Sequence, residues 1–209
     1  MKIVLVVMLL SLFATVSTAP AGPTDLVATA VSPTQINLAW TDNSDNENGF
    51  NIVRCQGDPE CFDFGQVGSV HPGITTFEDT GLTPGILYRY LVQAFNTEGS
   101  AYSNAAQATT QQIAPAAPSA LTATAGKRGY RNWVDLAWSD NSNNESSLVI
   151  ERCAGSNCTD FTEIATVGAN AMAYQDSTVA RRTAYRFRVY ATNSAGDSGY
   201  SNVGAVMTR

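Results

Sequence analysis

The chain has 209 residues, of which 44% are hydrophobic and only 14% charged, with a formal net charge of -6 and a pI near 4.6. An acidic chain of this kind lacks the basic footprint that nucleic-acid binding requires. Its abundance of Thr, Val, Ser and Asn, its 16 Gly and 8 Pro, and the lack of a sustained 3.6-residue period exclude a helical protein and point to β-structure.

Residues 1–21 read as a secretory signal peptide. Lys2 is a minimal basic region, an apolar run follows to Val16, and small residues close it. Cleavage after Ala19 would leave Pro20 at the first mature position, so the expected cut follows Ala21 and the mature chain begins at Gly22. The apolar run is shorter than the roughly 20 residues a membrane span needs, and no later segment reads as a span.

A first domain is expected over residues 22–111. Strands are predicted at 25–31, at 35–41 with Ile36, Leu38 and Trp40 inward, and at 50–55 with Phe50 and Ile52 inward. Short strands follow at 66–70 and 75–78. A long one covers 88–96, where Tyr88, Tyr90, Val92 and Ala94 alternate with other residues, the period of a half-buried strand. Asn96 and Gly99 supply turn chemistry, and a final strand is predicted at 103–110. Residues 112–118 carry the sequence IAPAAP and read as a semi-rigid Pro/Ala linker.

The second half, 119–209, repeats the first. Trp40 and Trp138, Arg54 and Arg152, Cys55 and Cys153, and the pairs Ser103-Asn104 and Ser201-Asn202 all lie 98 positions apart. A period that long is a duplicated domain rather than a solenoid unit. Val134, Leu136 and Trp138, then Leu148 and Ile150, then Tyr185, Phe187, Val189 and Ala191, are its inward residues. The four cysteines allow three pairings. Their placement in the repeat favours Cys55 with Cys61 and Cys153 with Cys158, loops that contribute about 2–2.5 kcal/mol each in the chain-entropy model. A metal site is disfavoured by the spacing and by the single His.

Two stretches per half carry a family resemblance: PTDLVATAVSPTQINLAWTDNSDNENGFNIVR and DTGLTPGILYRYLVQAFNTEGSAYSN, with their second-half partners. Both halves resemble fibronectin type III domains of secreted bacterial proteins. The resemblance implies an all-β chain of two tandem immunoglobulin-like, seven-stranded β-sandwiches. It also implies a tyrosine corner at Tyr88 and at Tyr185, the hydroxyl capping an upstream backbone group. The second copy has Ala180-Arg181-Arg182 in place of Thr83-Pro84-Gly85, so its corner is expected to be looser. The fold itself hosts spacers, adhesins and glycan binders alike.

The only histidine, His71, sits in a turn, and no nucleophile elbow or phosphate-binding loop is present. The chain is therefore read as non-catalytic, with no cofactor and no metal. The loops at 42–49 and 140–145 are rich in oxygen ligands but lack EF-hand spacing; Asp, Asn and Ser bonding their own backbone in turns is the preferred account. Exposed aromatics are the better lead. Strand parity turns Trp133 outward, with Tyr130, Lys127, Arg128 and Arg131 close by; Trp133 is either a contact platform for protein or sugar, or a cap on the sandwich end or linker. Val53, Leu91 and Phe95 are off-parity on one sheet face and read as an exposed apolar cluster. The first half has two basic against ten acidic residues and the second nine against eight. Arg186 and Arg188 face solvent together, either as a plain solvated face or as a basic stripe for head-to-tail contacts with another copy. The resulting expectation is a secreted or cell-surface protein, extracellular or periplasmic. It would be structural or adhesive, acting through protein–protein contacts and self-association. The alternative is a carbohydrate-binding module using the aromatics of domain 2.

Overall fold

The computed structural model describes residues 18–209, so the expected signal peptide lies almost wholly outside the described residues. The chain is all-β and divides into two compact units, the first ending at Thr110 and the second beginning at Gln111. Each unit is a two-layer sandwich of antiparallel strands. In the first, β1 (Thr24–Ser32), β2 (Gln35–Thr41) and β5 (Thr76–Thr80) form the smaller sheet. The larger sheet holds β4 (Gly65–Val70), β3 (Gly49–Gln56), β6 (Leu87–Asn96) and β7 (Gly99–Tyr102), with β8 (Ala106–Thr109) also pairing with β6. The second unit repeats the order. Its smaller sheet is β9 (Ser119–Arg128), β10 (Arg131–Ser139) and β13 (Ala173–Asp176). Its larger sheet is β12 (Thr162–Gly168), β11 (Ser147–Ala154), β14 (Ala184–Asn193) and β15 (Gly196–Asp197), with β16 (Gly204–Met207) on β14.

Period-two alternation builds both cores. Ile36, Leu38 and Trp40 face Phe50, Ile52, Tyr88, Tyr90, Val92 and Ala94 across the first sandwich, all buried. Val134, Leu136 and Trp138 face Leu148, Ile150, Tyr185, Phe187, Val189 and Ala191 across the second. The final strand, expected at 103–110, is β8 and begins only at Ala106; β7 pairs with β6 just before it, and between the two Ser103 and Asn104 turn their side chains into backbone substitutes. The Val92 amide donates to Ser103 Oγ at 3.0 Å, and the Asn104 carboxamide bonds both the N–H and the C=O of Leu26, at 2.9 and 3.0 Å. Ser201 and Asn202 do the same to Val189 and Leu121.

The two sheets of each unit are also joined by an ion pair between a half-buried arginine and a buried aspartate. Arg54 on β3 reaches Asp79 on β5 at 2.8 Å, and Arg152 on β11 reaches Asp176 on β13 at 2.6 Å. Each guanidinium lies over a tyrosine ring, Tyr88 at 5.2 Å and Tyr185 at 5.0 Å. Each of those hydroxyls accepts the upstream amide, Thr83 N–H at 2.9 Å and Ala180 N–H at 3.0 Å. The second corner is thus as tight as the first. Gly85, at φ 70°, is matched by Arg182, at φ 53°, which holds the same left-handed turn without the glycine. In the first unit the Tyr90 hydroxyl also donates to Asp79; burial, and then the adjacent carboxylate, raises its pKa. The second unit has Phe187 at that place, and Thr178 Oγ1 bonds Asp176 instead.

The segment expected as a linker is tied to the second unit. Ile113 O accepts from the side chains of Asn144 and Asn193, and Ala117 O from Asn141, while Pro115 and Pro118 are buried. The first unit has the same lead-in: Thr18 O accepts from Asn46 and Asn96, Gly22 O from Asn43, and Pro20 and Pro23 are buried.

Removing Asp79 strands a half-buried guanidinium, so Asp79→Ala is expected to lower the stability of the first unit by about 3 kcal/mol, measured by urea denaturation of the full chain. Arg182→Gly relieves a left-handed non-glycine residue and is expected to raise the stability of the second unit by about 1 kcal/mol, seen as a higher thermal midpoint.

Candidate functional site

The cysteines form two local disulfides, Cys55–Cys61 and Cys153–Cys158, with Cα separations of 6.1 and 6.0 Å. Each closes the loop after the third strand of its unit. Disulfides of this kind persist in oxidising compartments.

The residues singled out for contact fall into three groups. Val53 and Leu91 are direct cross-strand partners, and Phe95 pairs with Gly49 on the same sheet. All three are half-buried, so they do not form the exposed apolar cluster expected of them. Gln66 and Gln93 each hydrogen-bond to Asn51 on the same face, with Gln66 opposite Val53.

Arg186 and Arg188 are likewise not free. Arg188 pairs with Glu151 on the neighbouring strand and stacks between two rings, 3.6 Å from the centroid of Tyr200 and 4.3 Å from that of Phe161. Arg186 donates to Cys158 O at 2.7 Å, beside the disulfide. The counterpart in the first unit is Arg89, which donates to Cys61 O and lies over Phe62 and Phe64. These arginines pin the disulfide loop to the sheet rather than forming a basic stripe. The carbonyls they bond were the part hidden in the sequence, because a backbone acceptor leaves no residue signature.

Trp133 and Tyr130 are different. Tyr130 is 91% exposed at the tip of the β9–β10 hairpin. The indole of Trp133 lies flat on the outer face of β9 over Gly126, where a Cβ would stand 2.1 Å from the ring. Its Nε1 donates to Asp135 at 2.8 Å, and the other oxygen of Asp135 accepts from Gln175 at 2.8 Å. The ring is therefore fixed on one face by a glycine and at its edge by a hydrogen-bond chain. The sequence showed Trp133 turned outward; the role of Gly126 emerges only from the register that places it opposite.

The oxygen-rich loops bond themselves. Asp42 Oδ1 accepts the Ser44 amide at 3.1 Å, and Asp140 Oδ1 accepts the Ser142 amide at 3.1 Å. Glu47 accepts from Ser44, and the buried Glu145 accepts the Asn170 amide at 2.9 Å. Burial opposes the ionisation of Glu145, but hydrogen bonds from its own amide and from Asn170 outweigh it and hold its pKa below the ordinary value. Among the described residues, no group of three or more His, Cys, Asp or Glu side chains is placed to hold a metal ion. No helix among them is long and apolar enough to cross a membrane.

Residues 21–110 match the family model described as the fibronectin type III domain. The first unit is a fibronectin type III domain. The second, with the same core anchors, ion pair and tyrosine corner, makes the pair a tandem of that fold. Among curated proteins, the chain is 30% identical over 92% of its length to Exoglucanase B of Cellulomonas fimi, covering 17% of that protein. It is 29% identical, again over 92%, to Chitinase A1 of Niallia circulans, covering 26% of it. The chain thus spans about a sixth to a quarter of the length of these two curated relatives. Among solved structures, a two-domain fibronectin type III segment of chicken tenascin aligns over 90% of this chain and all of its own, at 13% identity and a TM-score of 0.44.

The lowered pKa of Glu145 gives a pH signature. A depressed carboxyl contributes stability above its unfolded-state pKa, and that contribution fades as pH falls through the folded value. Glu145→Gln is expected to destabilise the second unit by about 1 kcal/mol at pH 7, with the difference from the parent shrinking toward pH 3 in paired denaturation curves.

Proposed function

We propose that this tandem is a non-catalytic accessory module of extracellular polysaccharide processing, acting through its surfaces as a spacer and contact element. The observation that carries this reading is the pattern of its relatives. Nearly the whole chain aligns with a minor share of an exoglucanase and of a chitinase, as a module does that recurs beside different catalytic parts. The fold supports it. Both interiors are filled by side chains, the disulfide loops are pinned, and Asp42, Glu47, Asp140 and Glu145 each accept hydrogen bonds from within their own domain. Such beads position other things and leave chemistry to neighbours. An extracellular location fits the two disulfides.

A second reading, direct contact with glycan, is favoured by one observation, the indole of Trp133 held flat and fixed on the sheet surface. Adhesion through self-association draws less support, because Arg186 and Arg188 are occupied within the domain.

Incubating the full chain with cello- and chito-oligosaccharides is expected to leave them intact by chromatography, and light scattering is expected to show one mass across a concentration series. Shortened sugars would overturn the non-catalytic reading.

A further inference from the structure

Two of the places where the second unit departs from the first lie at one end of the sandwich. Leu26 and Leu121 are 95 positions apart, whereas Ile36 and Val134 are 98 apart. The hairpin between them is thus three residues longer in the second unit, where it carries Lys127-Arg128-Gly129-Tyr130-Arg131. The other departure is Ala180-Arg181-Arg182, in the turn that forms the tyrosine corner. The two departures meet around an open cleft of about 800 Å³, lined by Arg128, Arg131, Arg181, Tyr130, Trp133 and Gln175. The first unit has neither the arginines nor the tryptophan at these positions.

The chemistry of the cleft is specific. Arg128, Arg131 and Arg181 are exposed, and none belongs to the ion pairs of the described residues, whose arginines are 54, 152 and 188. Three guanidiniums converging on one cleft call for anionic groups, and their forked donors match carboxylates. Between them lies the fixed indole of Trp133, a rigid flat face that needs no ordering when a ring settles on it. Asn132 also lines the cleft. It is 8% exposed, and its side-chain oxygen has no hydrogen-bond partner among the described residues. An acidic side chain or an inorganic polyanion brings only acceptors, which leaves that oxygen unpaired. A sugar acid brings carboxylates, hydroxyl donors and a ring face together.

We propose that this cleft binds an acidic saccharide, a chain bearing uronic acid carboxylates. One ring stacks on Trp133, the carboxylates engage Arg128, Arg131 and Arg181, and hydroxyls meet the carboxamides of Gln175 and Asn132. The proposal rests on the surface-contact reading above and narrows its ligand; hydrolysis assays test that reading separately, so either can fail alone.

The test is titration of the full chain with hexagalacturonate, followed by tryptophan fluorescence and calorimetry. Saturable binding that weakens with added salt is expected. The double variant Arg131→Gln, Arg181→Gln is expected to weaken it about tenfold or more, the loss that follows from deleting charge-assisted contacts, and Trp133→Ala about tenfold by removing the stacking face. Gly126→Ala, which displaces the indole while leaving every arginine in place, is expected to do the same. Tyr130→Ala alters only the exposed hairpin tip and provides a variant whose folding is not in question; it too should weaken binding. Near-UV circular dichroism checks that each variant is folded. Absence of saturable binding overturns the proposal. Equal affinity for uncharged cellohexaose overturns its acidic part. Polyphosphate binding as tight as hexagalacturonate and indifferent to Trp133→Ala overturns its saccharide part. Self-association abolished by the arginine double variant, and not competed by hexagalacturonate, assigns the cleft to the acidic first unit of a second copy instead.

Discussion

In each sandwich an arginine of one sheet is clamped to a buried aspartate of the other, and much else depends on that clamp. A layered β-fold is held mainly by apolar burial, which is strong but has no direction. The Arg54–Asp79 and Arg152–Asp176 pairs add direction. They fix the strand carrying the arginine over the strand carrying the aspartate, and they seat the guanidinium on the tyrosine whose hydroxyl closes the next turn. Packing, ion pair and corner thus form one connected unit. That unit is the same in both copies even where the turn sequence is not, which is how Arg182 comes to hold a conformation that Gly85 adopts freely.

The sequence made much of this legible, for identifiable reasons. Inward alternation along β2, β6, β10 and β14 announced the cores because period two has one simple physical origin. The duplication paired the cysteines. The arginines at 54 and 152 were visible as a repeat, but Asp79 and Asp176 were not: a single acid in a polar strand looks the same whether it meets solvent or a guanidinium. The late start of β8, at Ala106 rather than Ser103, was hidden because Ser103 and Asn104 act through side chains that imitate backbone, in a stretch that otherwise reads as a strand. The Pro/Ala segment read as a spacer because composition reports stiffness, not attachment, and the carbonyls of Ile113 and Ala117 that anchor it carry no sequence signal.

Surface roles were harder, and unevenly so. Parity alone turned Trp133, Arg186 and Arg188 outward. It could not separate an indole laid on a bare glycine from guanidiniums sandwiched between rings and bound to a carbonyl. What distinguishes them is the neighbour across the strand: Gly126 for Trp133, Glu151 for Arg188. Register follows the apolar pattern and is the same in both units, Ala30 opposite Ile36 and Ala125 opposite Val134; in the second unit the ladder runs on past that point and sets Gly126 opposite Trp133. In this duplicated pair the β9–β10 hairpin and the turn at Ala180-Arg181-Arg182 differ in sequence while the arginine–aspartate pair and the tyrosine corner recur.

The disulfides have a consequence for how the chain acquires its fold. Tandem copies of one sequence pattern invite pairing between the wrong halves while the chain is still open. Cys55 and Cys61 are six positions apart, and Cys153 and Cys158 five, whereas the first pair lies more than ninety positions from the second. A short loop meets its own ends sooner and at lower entropic cost than a long one. Each cysteine therefore finds its neighbour before it finds its counterpart in the other copy. The bridges add little reach across either sandwich, but they keep oxidation from joining the two halves, so each domain can fold as though the other were absent.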